Sequence, residues 1–113
     1  MKRGQIWWAD LAEPRGSAPG LRRPVLIVQD DLLTESKLPT VMVVPLTTQL
    51  RRATAIGNVL LEPKDSGLGK PSVALVCQIV TIDKQDLTEL AGSLSRRTLQ
   101  KVDAGLKLAL DLE

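Results

Sequence analysis

Arg22-Arg23-Pro24 closes a stretch rich in glycine and proline, and Thr47-Thr48-Gln49 closes an aliphatic block that contains Pro45. These side chains suit an anion. A guanidinium stays charged at any working pH and forks onto two phosphate oxygens. Threonine hydroxyls and a glutamine amide donate to non-bridging oxygens, and the backbone N–H groups of the preceding Gly-rich loop offer further donors. Arg51 and Arg52 follow at once, so Thr47 to Arg52 reads as a polar, positive rim, the kind of surface that holds a nucleic-acid backbone by salt-sensitive attraction. Each feature also has a plain structural reading. Adjacent arginines suit a solvated strand end, and threonine is a good strand residue in its own right. Convergence of the two segments in space would decide between the readings.

The chain has no histidine, one cysteine (Cys77) and two aromatic residues, Trp7 and Trp8. Lack of histidine removes the His-based ribonuclease mechanism, the Ser/His/Asp triad and the usual imidazole metal sites. A lone cysteine makes no internal disulfide and, without histidine, no Cys/His zinc site; within VALVCQIV it is expected to be a small buried hydrophobe. GSAPG is not a GxxxxGK phosphate loop, Asp30-Asp31 and Asp83/Asp86 lack a metal-site pattern, and no serine stands in a nucleophile elbow. No metal and no cofactor are expected. In a regular strand Trp7 and Trp8 point to opposite faces, so one is expected in the core while the other stacks a base or fills an interface between subunits. With no Tyr or Phe, an aromatic-platform RNA binder of the usual kind is excluded.

The elements that must position these residues are short. At 113 residues with 25% charged side chains, one globular domain over 1–113 is expected. The net charge is only +2, but residues 1–52 carry eight cations against five anions and the rest seven against eight, so the basic excess lies in the first half. No apolar run reaches the roughly 18 residues of a membrane span, and MKRGQIWWAD meets an acidic residue before a signal-type apolar region can form. A cytoplasmic protein with no membrane contact is the expectation. Strands are predicted at Gln5 to Leu11, Pro24 to Gln29, Thr40 to Thr47, Gly57 to Leu61, Ser72 to Ile82 and Leu87 to Leu94. Residues 12–21 read as a loop, and Asp30 to Leu38 as one irregular or helical turn. Pro45 predicts an edge strand or a bulge, because its nitrogen cannot pair. From Ser95, an N-cap candidate, the period becomes helical, with Leu99, Val102, Leu106, Ala109 and Leu110 on one face. The class is mainly β with a C-terminal helix, a small curled sheet or barrel. Its aliphatic surface points to a homodimer.

Four segments in order, MKRGQIWWADL, GSAPGLRRPVLIVQDD, PTVMVVPLTTQL and CQIVTIDKQDL, resemble the MazF/PemK family of toxin endoribonucleases along nearly the whole chain. The resemblance implies an SH3-like β-barrel with a C-terminal helix, a homodimer, metal-independent cleavage of single-stranded RNA (mRNA foremost) at a short sequence, and a cognate MazE-like antitoxin. The family's catalytic arginine falls on Arg23 and its catalytic threonine on Thr47. Gly16, Ser17, Arg22, Thr48, Gln49, Arg51 and Gln78 are the candidate RNA-binding residues, Arg22 having no fixed role in the family. Many relatives carry Gly-Ser-Glu-Gln in the first loop, where this chain has Gly16-Ser17-Ala18-Pro19. A frequent carboxylate is thus missing, which leaves Glu13 or water as the general base. The family fold is shared with CcdB-like toxins, which bind DNA gyrase and cleave nothing. A non-catalytic gyrase poison is therefore the alternative, and fold alone does not separate the two.

Overall fold

The computed structural model describes residues 1–11 and 21–113. Its strands are β1 (Gln5–Leu11), β2 (Leu21–Ile27), β3 (Thr40–Thr47), β4 (Val59–Leu61), β5 (Ser72–Ala74), β6 (Val80–Asp83) and β7 (Leu87–Ser93). Its helices are α1 (Asp31–Glu35), α2 (Pro63–Ser66) and α3 (Arg96–Ala109). All strand pairs are antiparallel, in the order β4-β5-β3-β2-β1-β7 with β6 also paired to β3. The result is the expected mainly β fold, a curled half-barrel with a C-terminal helix. No helix among the described residues is long and apolar enough to cross a membrane. The loop read over residues 12–21 lies outside the described residues as far as residue 20.

Both faces of the sheet are covered over Val25–Ile27 of β2 and Val43–Val44 of β3, which is why these stretches are continuously aliphatic rather than alternating. Leu26, Val44 and Leu46 face one cluster with Ile6, Leu61 and Val76, closed by Val102 and Leu106 of α3. Val25, Ile27, Val41 and Val43 face a second cluster with Ala9 and Leu87, against which Trp7 packs. Ser95 caps α3 as predicted, its hydroxyl accepting from Thr98 N at 3.3 Å. The predicted helix face runs out at its end, where Ala109 and Leu110 are exposed.

The structure corrects several expectations. β2 starts at Leu21 instead of Pro24, so Arg22 and Arg23 lie within the strand, paired opposite Asp10 and Ala9. Pro45 is on neither an edge nor a bulge: β3 is interior, with Val25 directly opposite Pro45 on the β2 side. On the other side β3 changes partner, from β6 at Thr40–Val43 to β5 at Leu46–Thr47. The Pro45 carbonyl accepts there from Leu75 N at 2.9 Å. A residue's N and C=O point the same way in an antiparallel ladder, so the donorless nitrogen falls at the gap between the two partners. The two-donors-to-one-acceptor pattern of a bulge occurs elsewhere, where Val28 N and Gln29 N both donate to Met42 O.

The strand predicted from Ser72 to Ile82 is broken by a 3₁₀ turn at Val76–Gln78. Two bonds hold the turn: Val76 N donates to Asn58 Oδ1 at 3.0 Å, and Gln78 N donates to Leu75 O at 2.9 Å. Val76 turns inward while Cys77 is exposed, which overturns its reading as a buried hydrophobe. The strand expected from Gly57 begins only at Val59, because Gly57 itself, at φ 88°, is the seat on which α3 rests.

Gly105 faces this seat. A Cβ there would overlap the Gly57 carbonyl oxygen and sit 3.4 Å from Val76 Cγ2. Alanine would add about 1 kcal/mol of helix propensity, but the clash is with backbone, and overpacking costs about 1–3 kcal/mol. Gly105→Ala is therefore expected to lower the thermal midpoint by several degrees, as read by circular dichroism. An unchanged or higher midpoint would show that the close approach is not limiting.

Candidate functional site

The ends of β2 and β3 diverge beyond the Val25 to Pro45 pair. Extending that register by two residues sets Arg23 opposite Thr47. At this splay lies an open cleft of about 500 Å³, lined by Trp8 of β1, Arg23 and Pro24 of β2, Leu46 and Thr47 of β3, Thr48, Gln49, Leu68, Lys70 and Ser72. The two polar segments that were separate in sequence thus converge on one space. Arg23 and Lys70 supply its charge, while Trp8, Pro24, Leu46 and Leu68 supply an apolar wall.

Local bonding orients the polar side chains. Thr47 is half-buried, and its Oγ1 accepts from Gln49 N at 3.2 Å, which leaves the hydroxyl hydrogen to be donated elsewhere. Gln49 Oε1 accepts from Arg52 Nε at 3.4 Å, and Arg52 N donates to Gln49 O at 3.0 Å as the chain enters a 3₁₀ turn at Leu50–Thr54. Arg23 is exposed. Among the described residues the ion pairs are Arg3 with Asp103 and Arg22 with Glu89, so no described carboxylate neutralises Arg23.

The remaining sequence candidates have other surroundings. Arg22 does not line the cleft; it pairs with Glu89 at 2.8 Å and lies over the Trp8 ring. Arg51, on the 3₁₀ turn, and Gln78, on the turn between β5 and β6, are exposed and outside the cleft lining. Gly16, Ser17 and the possible base Glu13 lie outside the described residues. Sequence reading missed Lys70, Leu68 and Ser72. The only signal for Leu68 and Lys70 was the turn-rich stretch EPKDSGLGKP, whose two lysines look like solubility, and Ser72 read only as the start of a strand. Of the tryptophans, Trp7 belongs with the second core cluster and donates Nε1 to Gln5 Oε1 at 3.1 Å, while Trp8 faces the cleft.

A sequence model describing the PemK-like, MazF-like toxin of type II toxin-antitoxin systems matches residues 2–110. The chain belongs to that toxin family. Endoribonuclease MazF6 of Mycobacterium tuberculosis and endoribonuclease MazF2 of Mycobacterium bovis are each 41% identical to this toxin over 112 residues, covering 99% of it and 98% of them. Endoribonuclease EndoA of Bacillus subtilis is 38% identical over 99% of the toxin and 96% of its own length. Among solved structures, a mycobacterial endoribonuclease in complex with its cognate antitoxin superposes with a TM-score of 0.82 at 27% identity, over 100% of this chain and 97% of that one. The Mycobacterium tuberculosis toxin MazF-mt6 superposes at 0.79 and 28% identity, over 96% and 98%.

An exposed arginine with no described partner has little to contribute to the fold. Arg23→Ala is expected to leave unfolding stability within about 0.5 kcal/mol of the parent in a denaturant titration. A larger loss would make Arg23 a structural residue.

Proposed function

We propose that this toxin is an endoribonuclease that cuts single-stranded RNA at a short sequence, without a metal, by attack of the ribose 2′-OH on the adjacent phosphorus. The observation that carries this reading is the meeting of Arg23, free of any described carboxylate, with Thr47 across one cleft. In the reaction the O2′–P bond forms and the P–O5′ bond breaks, giving a 2′,3′-cyclic phosphate and a 5′-OH. One proton leaves the 2′-OH and one reaches the departing oxygen. Negative charge builds on the phosphorane oxygens, where the Arg23 guanidinium and the Thr47 hydroxyl donate. Thr47 is set for this by the Gln49 N–H, which occupies its acceptor side. Each such donor is worth roughly 3–4 kcal/mol in the transition state. Thr48, Gln49 and Lys70 extend the donor surface along the chain of phosphates, and the loop carrying Gly16 and Ser17, with Arg51 and Gln78, completes base selection. The proton acceptor is Glu13 or water.

A CcdB-like gyrase poison is not favoured, since it has no use for Arg23, Thr47 and Gln49 together, and the curated relatives matched over the whole chain are named endoribonucleases. We further propose a homodimer and a MazE-like antitoxin whose acidic segment crosses the cleft and covers Arg23. The mycobacterial endoribonuclease that superposes on this chain was solved in complex with its cognate antitoxin. Exposed Met42, Val80, Leu108, Leu110 and Leu112 offer apolar surface for a second subunit.

Arg23→Ala and Thr47→Ala should each slow cleavage of a long single-stranded RNA by on the order of 100- to 1000-fold. The wild type should be fully active in EDTA and leave 5′-OH ends that accept phosphate from a kinase. Near-normal cleavage by Arg23→Ala would remove the mechanism, and a strict need for added magnesium would remove its metal independence. Light scattering should give twice the mass of one chain; a monomer mass would remove the dimer.

A further inference from the structure

The adjacent arginines differ in a way that gives Arg22 and Trp8 a joint role. Trp8 is paired with Pro24 of β2 and with Glu89 of β7. Arg22, opposite Asp10, lies two residues along from Pro24 and on the same sheet face, a diagonal position within reach of a long side chain. Its guanidinium carbon stands 4.6 Å from the centre of the indole ring, and its Nη2 lies 2.8 Å from Glu89 Oε2. The ion pair therefore runs from β2 to β7 across the top of Trp8, which sits between them.

A pair with side chains 47% and 67% exposed adds little to stability; its effect is on orientation. Stacking of the guanidinium on the ring and its bond to Glu89 leave the indole one preferred position. Trp8 lines the cleft and Arg22 does not, so the cleft reaches the indole from a side that the guanidinium does not cover. The same cleft is lined by the apolar Pro24, Leu46 and Leu68 and by the cations Arg23 and Lys70. A flat indole and apolar side chains sharing one cleft with cations match the two halves of a nucleotide.

We propose that Trp8 is a stacking platform for a nucleobase next to the phosphate held at Arg23 and Thr47, and that Arg22 and Glu89 are positioning residues that hold its ring. Arg22 is then not a phosphate ligand, its charge already being met by Glu89. This rests on the reading of the cleft as an RNA site, and it adds the residue that senses a base.

In a Trp7→Phe background Trp8 is the only tryptophan and reports on its own surroundings. The probes are short homopolymeric oligodeoxynucleotides of each base, which lack the 2′-OH and cannot be cut, and an abasic oligomer of the same length and charge. At least one base-bearing oligomer should quench Trp8 emission and bind about 5- to 150-fold more tightly than the abasic one, the range set by base–aromatic stacking. Trp8→Leu should erase that preference, and Trp8→Phe should keep most of it. Arg22→Ala should lower base-bearing affinity towards the abasic level, leave abasic affinity unchanged and speed the fast decay of Trp8 anisotropy. Equal binding of abasic and base-bearing oligomers, or a preference that survives in Trp8→Leu, would overturn the platform. Equal weakening of both probes by Arg22→Ala would make Arg22 a phosphate ligand and overturn its positioning role. RNA cleavage in EDTA is read separately: cleavage without a base preference removes the platform alone, and a base preference without cleavage removes the nuclease reading alone.

Discussion

On the side of β3 facing away from β2, the first half of the strand pairs with β6 and its end pairs with β5, and proline stands at the change. An ordinary residue at Pro45 would bring an N–H to a place where neither strand offers a ladder acceptor, and a buried unpaired donor costs about 1–3 kcal/mol. Proline removes the donor while its carbonyl still receives Leu75 N. Because one strand serves two partners, the sheet curls about it. The tip carrying Thr47 is thereby drawn next to Ser72 and the residues before β5. Without this change of partner, Lys70 and Leu68 would have no path to the cleft.

The cleft also depends on an uneven treatment of two like charges. Arg22 and Arg23 are neighbours in sequence, yet alternation sends their side chains to opposite faces of β2. One meets an indole and a carboxylate; the other lines the cleft and meets no described anion. The positive potential of the cleft therefore rests on Arg23 and Lys70 rather than on the count of basic residues along the chain. The net charge of +2 is correspondingly a poor guide to it.

Strands β1 and β3 and the helix from Ser95 were legible in sequence because each carries its own pattern: a bounded β-prone run, a doubly buried aliphatic block and a 3.6-residue period. The break between β5 and β6 was not legible. Residues 72–82 are β-prone throughout, and the turn is held by the side chain of Asn58, eighteen residues away. That same turn exposes Cys77. Arg23, Thr47, Thr48 and Gln49 stood out by side-chain type, and the family resemblance singled out Arg23 and Thr47 among them, whereas Lys70, Leu68 and Ser72 enter the cleft through tertiary path. The distinct surroundings of Arg22 follow from the β1 to β7 pairing, which joins residues too distant in sequence for local pattern to show.

Arg23 and Thr47 stand on strands anchored in the two apolar clusters, while Lys70 arrives on a connection that Leu68 pins to the first cluster and to Ser66 Oγ, through its N–H at 3.2 Å, and that is exposed at Gly69 and Lys70. Mutational drift acts differently on two such parts. Exchanges at Gly69 and Lys70, which are exposed, alter the rim of the cleft without touching the clusters beneath the strands that carry the arginine and threonine. A lineage built on this frame can therefore reshape the rim of its cleft while the arginine and threonine stay where they are.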